Sequence, residues 1–402
     1  MNILLIANRY PKGPNDTASP FVPDFVRALR ALGARVLVVT PLYGRPPEQD
    51  DVDVFRFAFG QTDSDLPIGS WGLLDPRTWR RISQFLRRGE AVVDELIQRA
   101  SIDHIFALWA LPSGWFARRA ARKHGVPYSI WCLGSDIDVW ATRPIFHGMI
   151  GHVLCDAQIV FADGFALAKA ARQLSGRHCR FLPSFRFLNP DLPTESRIRP
   201  CRSSFLYAGR IHAQKGVFDL LDAFAQAGPD LGDAELIFIG DGPDSAKLRA
   251  AVRHREISDR VQVLGYVPAN ALVRYYCAAT ATVIPSRSDS LPLVFSEAVQ
   301  CGSPLVVYDT GDLGHFVRRF GLGLVVRPGD LTSLSRALIE IKARTFDLAA
   351  GRAAVLDLLN PKRAARTFQK AIGGATAKVI PVRIKNLRGL GSGRIEGAEK
   401  LS

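Results

Sequence analysis

The sequence lacks several features that would place it in other protein classes. It contains no run of 18 apolar residues, so we expect no membrane-spanning helix. The apolar start, Met1 to Ala7, ends at Asn8 and is too short for a signal-peptide core, so we expect a cytoplasmic protein. The six cysteines are far apart and form no C-x-x-C pair. They favour free thiols in a reducing compartment over disulfides or a zinc site.

Acidic residues are too few to balance the basic ones, and the formal net charge is +14. Residues 1–190 carry 23 Lys and Arg against 17 acids, residues 191–360 carry 19 of each, and residues 361–402 carry 10 against 2. The basic excess is therefore confined to the first half and the tail of the chain. Such a distribution favours an anionic partner: phospholipid headgroups, nucleic acid or an acidic glycan. We expect no nucleic acid partner, because the sequence contains no recognised module for binding one.

One long segment in the first half is strongly basic. From Pro76 to Arg99 apolar residues recur at helical spacing, which predicts a helix with one face packed inward. The remaining positions include five arginines: Arg77, Arg80, Arg81, Arg87 and Arg88. A solvated charged face is the simpler interpretation. The alternative is a helix on an anionic membrane surface, at the inner face of the membrane, with Trp79, Ile82 and Phe85 inserted.

Short β-branched runs alternate with helical segments along most of the chain. This alternation predicts an α/β protein with parallel sheets, and 402 residues are enough for two domains, each with its own core. We place the first domain at residues 1–183 and the second at residues 204–359. Residues 184–203 are rich in Pro, Arg and polar side chains without periodicity, which is typical of a linker. Residues 360–372 are predicted to be a helix, and residues 373–402 a flexible basic tail.

The chain is organised around the stretch from Ser286 to Gly302. It lies between two predicted strands, Ala281–Ile284 and Pro304–Tyr308. Within it Pro292 suits the first turn of a helix and Gly302 its C-terminal cap. The loop before this helix therefore lies beyond the carboxyl ends of the strands, where open parallel sheets bind ligands.

Two acidic residues lie in this stretch, Asp289 before the helix and Glu297 inside it. A carboxylate such as Glu297 can accept hydrogen bonds from both hydroxyls of a ribose. Free N–H groups of the first helical turn can bind an anion. Taken alone, the stretch is equally compatible with an ordinary amphipathic helix that carries a solvated glutamate.

The spacing of this pair, followed by an Ala-x-x-Cys-Gly-x-Pro run, resembles the acid-x7-Glu signature of the retaining glycosyltransferases of family 4. The first acid of that signature is usually Glu, and Asp289 is a shorter variant. The resemblance covers roughly residues 1–372. It implies the GT-B fold, with two Rossmann-like doubly wound domains that face each other across a cleft. It also implies a donor bound to the second domain, an acceptor bound to the first, and a last helix that packs back on the first domain.

The start of the second domain resembles the family's Gly-Arg … Lys-Gly loop through Gly209, Arg210, Lys215 and Gly216. In the family both cations bind the donor diphosphate, and fixed cations stabilise the charge that the diphosphate gains as it leaves. A solvated Arg and Lys is the alternative. The resemblance thus implies four catalytic residues: Arg210, Lys215, Asp289 and Glu297.

The resemblance also implies which residues contact the donor. Glu297 would hold the ribose, and Asp289 would hold the hexose. The hexose would also contact the backbone of the following turn, Ser290, Leu291, Pro292 and Leu293. A Gly-Asp-Gly-Pro turn and a Gly-Tyr-Val-Pro turn resemble family loops that line the nucleotide pocket and meet the base. Their donor-binding residues, together with the glycine of the cation loop, are Gly209, Asp241, Gly242, Tyr266 and Val267.

Loops of the first domain resemble the family more loosely. The paired glycines usual after the first strand are absent, which leaves Gly13 and Ser19 in that loop. A Trp-Ala-x-Pro-Ser-Gly turn contains Trp109, and a Gly-Ser-Asp-Ile turn contains Asp136. The resemblance therefore implies an acceptor side formed by Gly13, Ser19, Trp109 and Asp136.

Two histidines that the family often carries just before these turns are replaced by Leu108 and Leu133. Asp136 and Asp138 also match the metal-binding D-x-D motif, but the Gly-Ser-Asp context explains Asp136 better, so we expect no metal.

These features predict a retaining glycosyltransferase without metal or other cofactor. It would move a hexose from a UDP- or GDP-linked donor to a hydroxyl of a glycan or lipid-linked acceptor, in cell-surface polysaccharide or glycolipid synthesis. A GT-B sugar-nucleotide epimerase is an alternative, but it would need catalytic acids and a histidine in the cleft. A sugar-binding protein without catalysis would leave Arg210 and Lys215 unexplained and would usually carry a secretion signal.

Overall fold

The computed structural model describes residues 1–13, 16, 18–47, 51, 53–59, 76–188 and 203–376. The predicted linker falls partly outside this set, because residues 189–202 are not among the described residues. The predicted basic tail from residue 377 onward and Cys201 also lie outside it.

The first half of the chain forms a seven-stranded sheet. Its strands are β1 (Asn2–Ile6), β2 (Arg35–Pro41), β3 (Val54–Phe57), β4 (His104–Leu108), β5 (Tyr128–Cys132), β6 (Ile159–Ala162) and β7 (Cys179–Phe181). They are ordered β3-β2-β1-β4-β5-β6-β7, and all neighbours are parallel. The strand order reverses between β1 and β4. At such a switch point the loops at the carboxyl ends separate and open a crevice for ligands.

The second half forms a six-stranded parallel sheet whose strand order also reverses once. Its strands are β8 (Ser204–Ala208), β9 (Glu235–Ile239), β10 (Val261–Gly265), β11 (Ala281–Ile284), β12 (Leu305–Tyr308) and β13 (Gly323–Val326). They are ordered β10-β9-β8-β11-β12-β13, again all parallel, with the switch point between β8 and β11. The predicted α/β class with two doubly wound sheets is therefore confirmed.

Helices cover both faces of each sheet. The first domain contains α1 (Phe21–Ala31), α2 (Pro76–Arg99), α3 (Ser113–His124), α4 (Pro144–Asp156) and α5 (Phe165–Ser175). The second contains α6 (Val217–Gln226), α7 (Ser245–His254), α8 (Ala269–Ala278), α9 (Leu293–Cys301), α10 (Leu313–Arg319), α11 (Leu331–Ala343) and α12 (Ala349–Leu358). The last helix is α13 (Pro361–Thr376).

Buried strands explain why the sequence reads as continuous apolar runs. Successive strand residues point to opposite faces of a sheet. In β1, Leu4 and Ile6 belong to one core cluster while Ile3 and Leu5 belong to the cluster on the other face. Helices on both faces therefore require apolar residues at every position of such a strand.

Helix α13 packs on the first domain although it follows α12 of the second. Its apolar residues recur at helical spacing and form one stripe: Ala364, Ala365, Phe368, Ala371 and Ile372. The ring of Phe368 lies 4.2 Å from the ring of Phe106 in β4 and 6.0 Å from that of Phe25 in α1. Burial of this stripe joins the end of the chain to the first sheet.

Helix α2 has one face in the core and one in solvent. Phe85 is 1% exposed and packs against Phe57, Phe59 and Phe116, so it cannot insert into a membrane as one interpretation required. Trp79, in contrast, is 56% exposed. The six arginines of this helix, which are the five named above and Arg99, are all exposed. Within the described ranges no helix is both long and apolar enough to cross a membrane.

The cysteines that the structure describes are all free. Cys132 is buried and Cys155 is exposed, and the others are partly buried. The prediction of free thiols is therefore confirmed for these five residues.

Candidate active site

The carboxyl edges of the two sheets face each other across a cleft. Asp138 and Ala166, which follow β5 and β6, lie opposite the segment Arg287–Ser290 after β11 and Gly311 after β12. Together they line a cavity of about 260 Å3. Each of these loops lies where an open parallel sheet binds ligands, so the cavity is the natural candidate for the active site.

A carboxylate of the second domain caps a helix of the first. Both oxygens of Asp312 accept the backbone N–H of Ala166, at 3.2 Å each, in the first turn of α5. A negative charge at a helix N-terminus is favourable, because the N–H groups there have no partner within the helix. Burial raises the pKa of Asp312, and hydrogen bonds from the α5 backbone oppose that rise. Gly164 permits this approach, since a Cβ there would collide with Ser290 and Asp312.

The predicted cation loop lies directly against the predicted acidic loop. Lys215 ends a short 3-10 turn, Ala213–Lys215, and its Nζ lies 2.5 Å from Oδ1 of Asp289. The turn is docked by the backbone N–H of Arg287, which donates to the carbonyl of Gln214 at 3.0 Å. Gly216 has a φ of 71°, and a Cβ there would collide with the carbonyl of Pro285. The structure therefore brings together two site residues that are 74 positions apart in the chain.

The neighbouring residues of this loop have different surroundings. Arg210 is exposed, and within the described part of the chain its guanidinium forms no ion pair. Its carbonyl accepts the hydroxyl of Tyr207 at 2.7 Å, which fixes the backbone at the end of β8. His212, to which the sequence assigned no role, accepts the N–H of Gln214 on Nδ1 at 3.1 Å and caps the turn. It therefore supports the position of Lys215.

Glu297 is buried rather than open to the cleft, with 4% of its surface exposed. Its Oε1 accepts a hydrogen bond from Nη1 of Arg186 at 3.1 Å, and its Oε2 accepts one from the hydroxyl of Tyr276 at 2.8 Å. Burial, and then the charge of Glu297, raise the pKa of Tyr276 well above its ordinary value. Sequence reasoning missed both partners, because nothing local connects Glu297 with residues 111 and 21 positions away.

Helix α9 begins at Leu293, one residue after its N-cap Pro292. It ends at Cys301, and its C-cap Gly302 has a φ of 70°. Pro292 was expected in the first helical turn itself, so that boundary is shifted by one position. Within the described part of the chain, the N-cap Pro292 provides no side-chain hydrogen bond to the start of α9. Leu291 is buried, while Ser290, Pro292 and Leu293 are half-buried. This turn thus presents backbone N–H groups of the kind that hold anions.

The turns after β9 and β10 lie at the same edge. Asp241 accepts the N–H of Gly242 at 2.7 Å and the hydroxyl of Ser245 at 2.5 Å, and these bonds lower its pKa. Its carboxylate thus shapes the turn at the start of α7. Tyr266 is 46% exposed and Val267 is half-buried, next to that turn along the edge of the sheet. The N–H of Gly209 donates to the carbonyl of Ile239 at 2.9 Å, which holds the end of β8 against β9.

On the predicted acceptor side, Asp136 is buried and joins two loops. Its Oδ2 accepts the N–H of Ala110 at 2.9 Å, and its Oδ1 accepts the N–H of Leu133 at 3.2 Å. Burial raises its pKa to about 6, although these bonds favour the charged form. Trp109 is half-buried with a φ of 69°, and its ring lies 6.5 Å from that of Phe21. Asp136 therefore positions the loop that carries Trp109.

The other two acceptor-side residues lie in the loop between β1 and α1. Gly13 is exposed, and Ser19 is half-buried with a φ of 51° just before α1. The carbonyl of Ser19 accepts the N–H of Val22 at 3.0 Å, which is a contact of the helix start.

One buried acid of the cleft was missed from the sequence. Asp163 follows β6 and is 5% exposed. Its Oδ2 accepts the hydroxyl of Ser184 at 3.4 Å, and among the described residues its Oδ1 has no hydrogen-bond partner. Its pKa is raised to about 8, first by burial and then by the charges of Asp136 and Asp289, while the hydroxyls of Ser290 and Ser184 oppose the rise. The same strand-end argument that selected Asp289 applies to Asp163, so the sequence held a usable signal.

Two family models match the chain in series. The family described as "Glycosyl transferase 4-like domain" matches residues 17–183, and the one described as "Glycosyl transferases group 1" matches residues 191–349. A Bacillus subtilis glycosyltransferase whose name assigns it to teichuronic acid biosynthesis, TuaC, is 26% identical over 84% of this chain and 88% of its own length.

Solved structures share the fold. Sucrose-phosphate synthase from Thermosynechococcus elongatus superimposes with a TM-score of 0.76 at 21% identity, over 94% of this chain and 99% of its own. Anabaena HepE in complex with UDP-glucose superimposes with a TM-score of 0.71 at 17% identity. The match covers 93% of this chain and 100% of the HepE chain.

Two doubly wound parallel sheets that face each other across a cleft at their carboxyl edges define the GT-B fold. The two matched models together span most of the chain and both describe glycosyltransferases. The chain belongs to the family 4 glycosyltransferases, and it is a transferase enzyme.

Proposed function

We propose that this enzyme transfers a hexose, with retention of the anomeric configuration, from a UDP- or GDP-linked donor to an acceptor hydroxyl. The observation that carries the proposal is the contact between Lys215 and Asp289 in the cleft, beside the uncapped start of α9. A cation, a carboxylate and free backbone N–H groups in one place match the needs of a diphosphate joined to a sugar. HepE, of the same fold, is described as a complex with UDP-glucose, which supports a nucleotide sugar as donor.

In this proposal the second domain binds the donor. Arg210 and Lys215 hold the diphosphate, and the N-terminus of α9 adds N–H groups to the same charge. Asp289 and the backbone of Ser290 to Leu293 bind the hexose hydroxyls. Glu297 binds the ribose after Arg186 or Tyr276 releases one of its oxygens. The turns at Asp241–Gly242 and at Tyr266–Val267 enclose the base, with Gly209 allowing close approach of the backbone.

The reaction breaks the bond between the sugar C1 and the diphosphate oxygen, and the electron pair stays on that oxygen. The acceptor oxygen forms the new bond to C1 on the same face, and its proton moves to a diphosphate oxygen. Arg210 and Lys215 stabilise the negative charge as it develops on the leaving group. The proposed route requires no protein nucleophile and no metal, because the departing diphosphate accepts the proton and protein cations neutralise its charge.

The acceptor binds to the first domain, along the wall that carries Trp109, Asp136, Ser19 and Gly13. We propose a glycan or a lipid-linked acceptor, in cell-surface polysaccharide or glycolipid synthesis. The relation to a glycosyltransferase named for teichuronic acid biosynthesis supports a polymeric product. The exposed arginines of α2 support transient attachment to an anionic membrane surface.

The proposal is tested by incubating the enzyme with a panel of sugar nucleotides and acceptor extracts, followed by mass spectrometry of nucleotide and sugar products. We expect one nucleoside diphosphate to be released together with a glycosylated acceptor, whose anomeric proton coupling in NMR matches that of the donor. An altered sugar nucleotide without transfer would instead support an epimerase. An inverted anomer would contradict the retaining mechanism.

A further inference from the structure

Asp312 caps a helix of the other domain rather than its own. It directly precedes α10 and is the N-cap residue of that helix. Aspartate is favoured at this position because its carboxylate usually accepts a backbone N–H of the helix that follows. Within the described part of the chain, the Asp312 side chain makes no such bond to α10. Its two oxygens instead accept the N–H of Ala166 in α5, so a residue suited to cap its own helix joins the two domains.

The contact between Asp312 and α5 is buried and closely fitted. Asp312 is 7% exposed. Gly164, the N-cap of α5, has an extended backbone with a φ of −150°, which residues other than glycine also adopt. A Cβ at this position would nevertheless collide with Ser290 and Asp312, which both belong to the second domain. The close approach of the second domain, rather than the backbone of the first, therefore requires a glycine here.

An aromatic contact lies beside the charged one. The ring of Phe165, the first residue of α5, stacks on that of Phe181 in β7 with 4.5 Å between their centres. On the side of the second domain, its centre lies 6.2 Å from that of Phe316 in α10. Phe316 is 1% exposed and is thus fixed in the core of its own domain. The starts of α5 and α10 are therefore joined by a carboxylate and by a pair of rings.

The same contact borders the cavity of the candidate active site. Ala166 lines it from the first domain, and Asp289 and Gly311 line it from the second. The N–H of Asp312 donates to the carbonyl of Ser290 at 3.3 Å, and a Cβ on Gly311 would collide with the carbonyls of Asp289 and Ser290. The backbone of Asp312 is thus packed on the loop that carries Asp289, while its side chain holds α5.

We propose that Asp312 is a positioning residue that sets the width of the cleft between the two domains. It touches no substrate and acts through α5 and the loop that carries Asp289. Its part in the reaction rests on the proposed function, because sugar transfer requires the acceptor wall and the donor site at a fixed distance. A displacement of about 1 Å between reacting groups can lower a rate about a hundredfold.

Two substitutions test the contact from opposite domains. Asp312→Ala removes the carboxylate, and Gly164→Ala adds a methyl group that collides with the second domain. Small-angle X-ray scattering measures the radius of gyration of each variant and of the wild type, without nucleotide and with UDP or GDP. We expect both variants to have a larger radius of gyration than the wild type in at least one of these states.

Matched controls carry the same chemical changes inside one domain. Asp330→Ala removes a carboxylate that caps α11 of the second domain, where it accepts the N–H of Ser333 at 2.9 Å. It should lower Tm through the lost cap but leave the radius of gyration unchanged. Gly148→Ala adds a methyl group to α4, where no described atom lies within 4 Å of the new Cβ. It should leave the radius of gyration unchanged as well.

Kinetics then separate positioning from a general loss of stability. Asp312→Ala and Gly164→Ala should each lower kcat at least about tenfold, because the acceptor wall is displaced. Their affinity for the free nucleoside diphosphate, measured by calorimetry, should stay almost unchanged, since the residues assigned to it all belong to the second domain. Asp312→Asn keeps one side-chain oxygen as acceptor but loses the charge, so its kcat should lie between those of the wild type and Asp312→Ala. The control Asp330→Ala should keep the wild-type kcat despite its lower Tm.

A radius of gyration equal to that of the wild type in Asp312→Ala, both free and with nucleotide, would overturn the proposal. An equal increase in Asp330→Ala would do the same. If Asp312→Ala does not fold, Gly164→Ala decides by the same criterion. Absence of any sugar transfer by the wild type would contradict the proposed function, and the scattering comparison would still decide whether Asp312 sets the width of the cleft.

Discussion

Arg186 donates to Glu297 across 3.1 Å, so a residue between the two sheets holds the carboxylate that we assign to the ribose. The side chain of Gln300, one turn further along α9, donates to the carbonyl of Arg186 at 2.8 Å and accepts the N–H of Leu188 at 2.9 Å. The interdomain segment is thereby fastened to α9, the helix of the proposed donor site. In that proposal, nucleotide binding and the attachment of this segment involve the same helix.

The first prediction concerns the ribose contact. Glu297→Gln keeps the shape of the side chain but removes its charge, so affinity for the nucleoside diphosphate should fall about tenfold. The 2′,3′-dideoxy nucleotide should bind the variant and the wild type equally, because it lacks the hydroxyls that Glu297 accepts. Calorimetry measures both, with the exposed Glu340→Gln as control. Equal affinity of the ribonucleotide for wild type and variant would end the ribose assignment.

A second prediction concerns the diphosphate. Arg210→Ala and Lys215→Ala should each lower kcat at least about a hundredfold, the scale of losing one contact made to the transition state. Lys247→Ala, which removes an exposed cation of the same domain, should leave kcat unchanged. Steady-state kinetics decide the matter, and near-wild-type rates in both variants would remove these residues from the mechanism.

The pair formed by Lys215 and Asp289 gives a third prediction. Asp289→Ala should weaken binding of the sugar nucleotide while sparing the free nucleoside diphosphate, because Asp289 is assigned to the hexose. Loss of the carboxylate also frees Lys215, so binding of the free diphosphate should be at least as tight as in the wild type. Parallel titrations of the two ligands test this, and equal weakening of both would contradict the assignment.

The buried Asp163 gives a fourth prediction, on pH dependence. Its pKa is raised from 3.8 to about 8, so the folded chain keeps a proton that the unfolded chain releases. The associated stability is complete below about pH 4 and is lost as the pH rises toward 8. Asp163→Asn removes this dependence, and its Tm should exceed that of the wild type by at least roughly 2 °C at pH 8.5.

At pH 4 the same two proteins should differ much less, because Asp163 is then protonated in the folded chain and only partly ionised in the unfolded chain. Asp233→Asn, at an exposed position, is the control and should shift Tm at neither pH. A Tm gap that stays constant between pH 4 and 8.5 would show that burial of a neutral acid is not the cause.

The fifth prediction concerns the membrane. Each Lys or Arg near an anionic leaflet contributes about 1 kcal/mol, so we expect Arg77, Arg80 and Arg81 together to give weak, salt-sensitive attachment. Their replacement by Gln should reduce cosedimentation with anionic vesicles, whereas replacing Arg253, Arg327 and Arg336 of the second domain should not. Trp79 is the exposed aromatic residue of this helix, whereas Phe85 is in the core, so any shallow insertion is expected at Trp79. If the wild-type protein does not bind anionic vesicles at low salt, the membrane hypothesis is wrong. The basic charge would then indicate a soluble acidic acceptor.

The sequence by itself determined the fold class and the order of the elements. Period-two and period-3.6 apolar patterns are local, as are the Pro and Gly signals around α9, and they predicted α2 from Pro76 to Arg99 and the cap at Gly302. It also selected Asp289, which follows a predicted strand of a parallel sheet, and it selected Lys215 through the resemblance to the family's Gly-Arg … Lys-Gly loop.

Only the tertiary structure decided which side chains meet across long separations. Several hydrogen bonds join segments that no local pattern relates. Arg186 and Tyr276 donate to Glu297, Asp312 accepts from the first turn of α5, and Arg56 donates to the loop after β1. Their geometry depends on how two sheets and their loops pack, and a change of a few ångströms would pair other groups. Burial is decided in the same way: it raises the pKa of Asp163 and places Phe85 in the core. Desolvation depends on everything that surrounds a residue, and the chain specifies those surroundings only once it is folded.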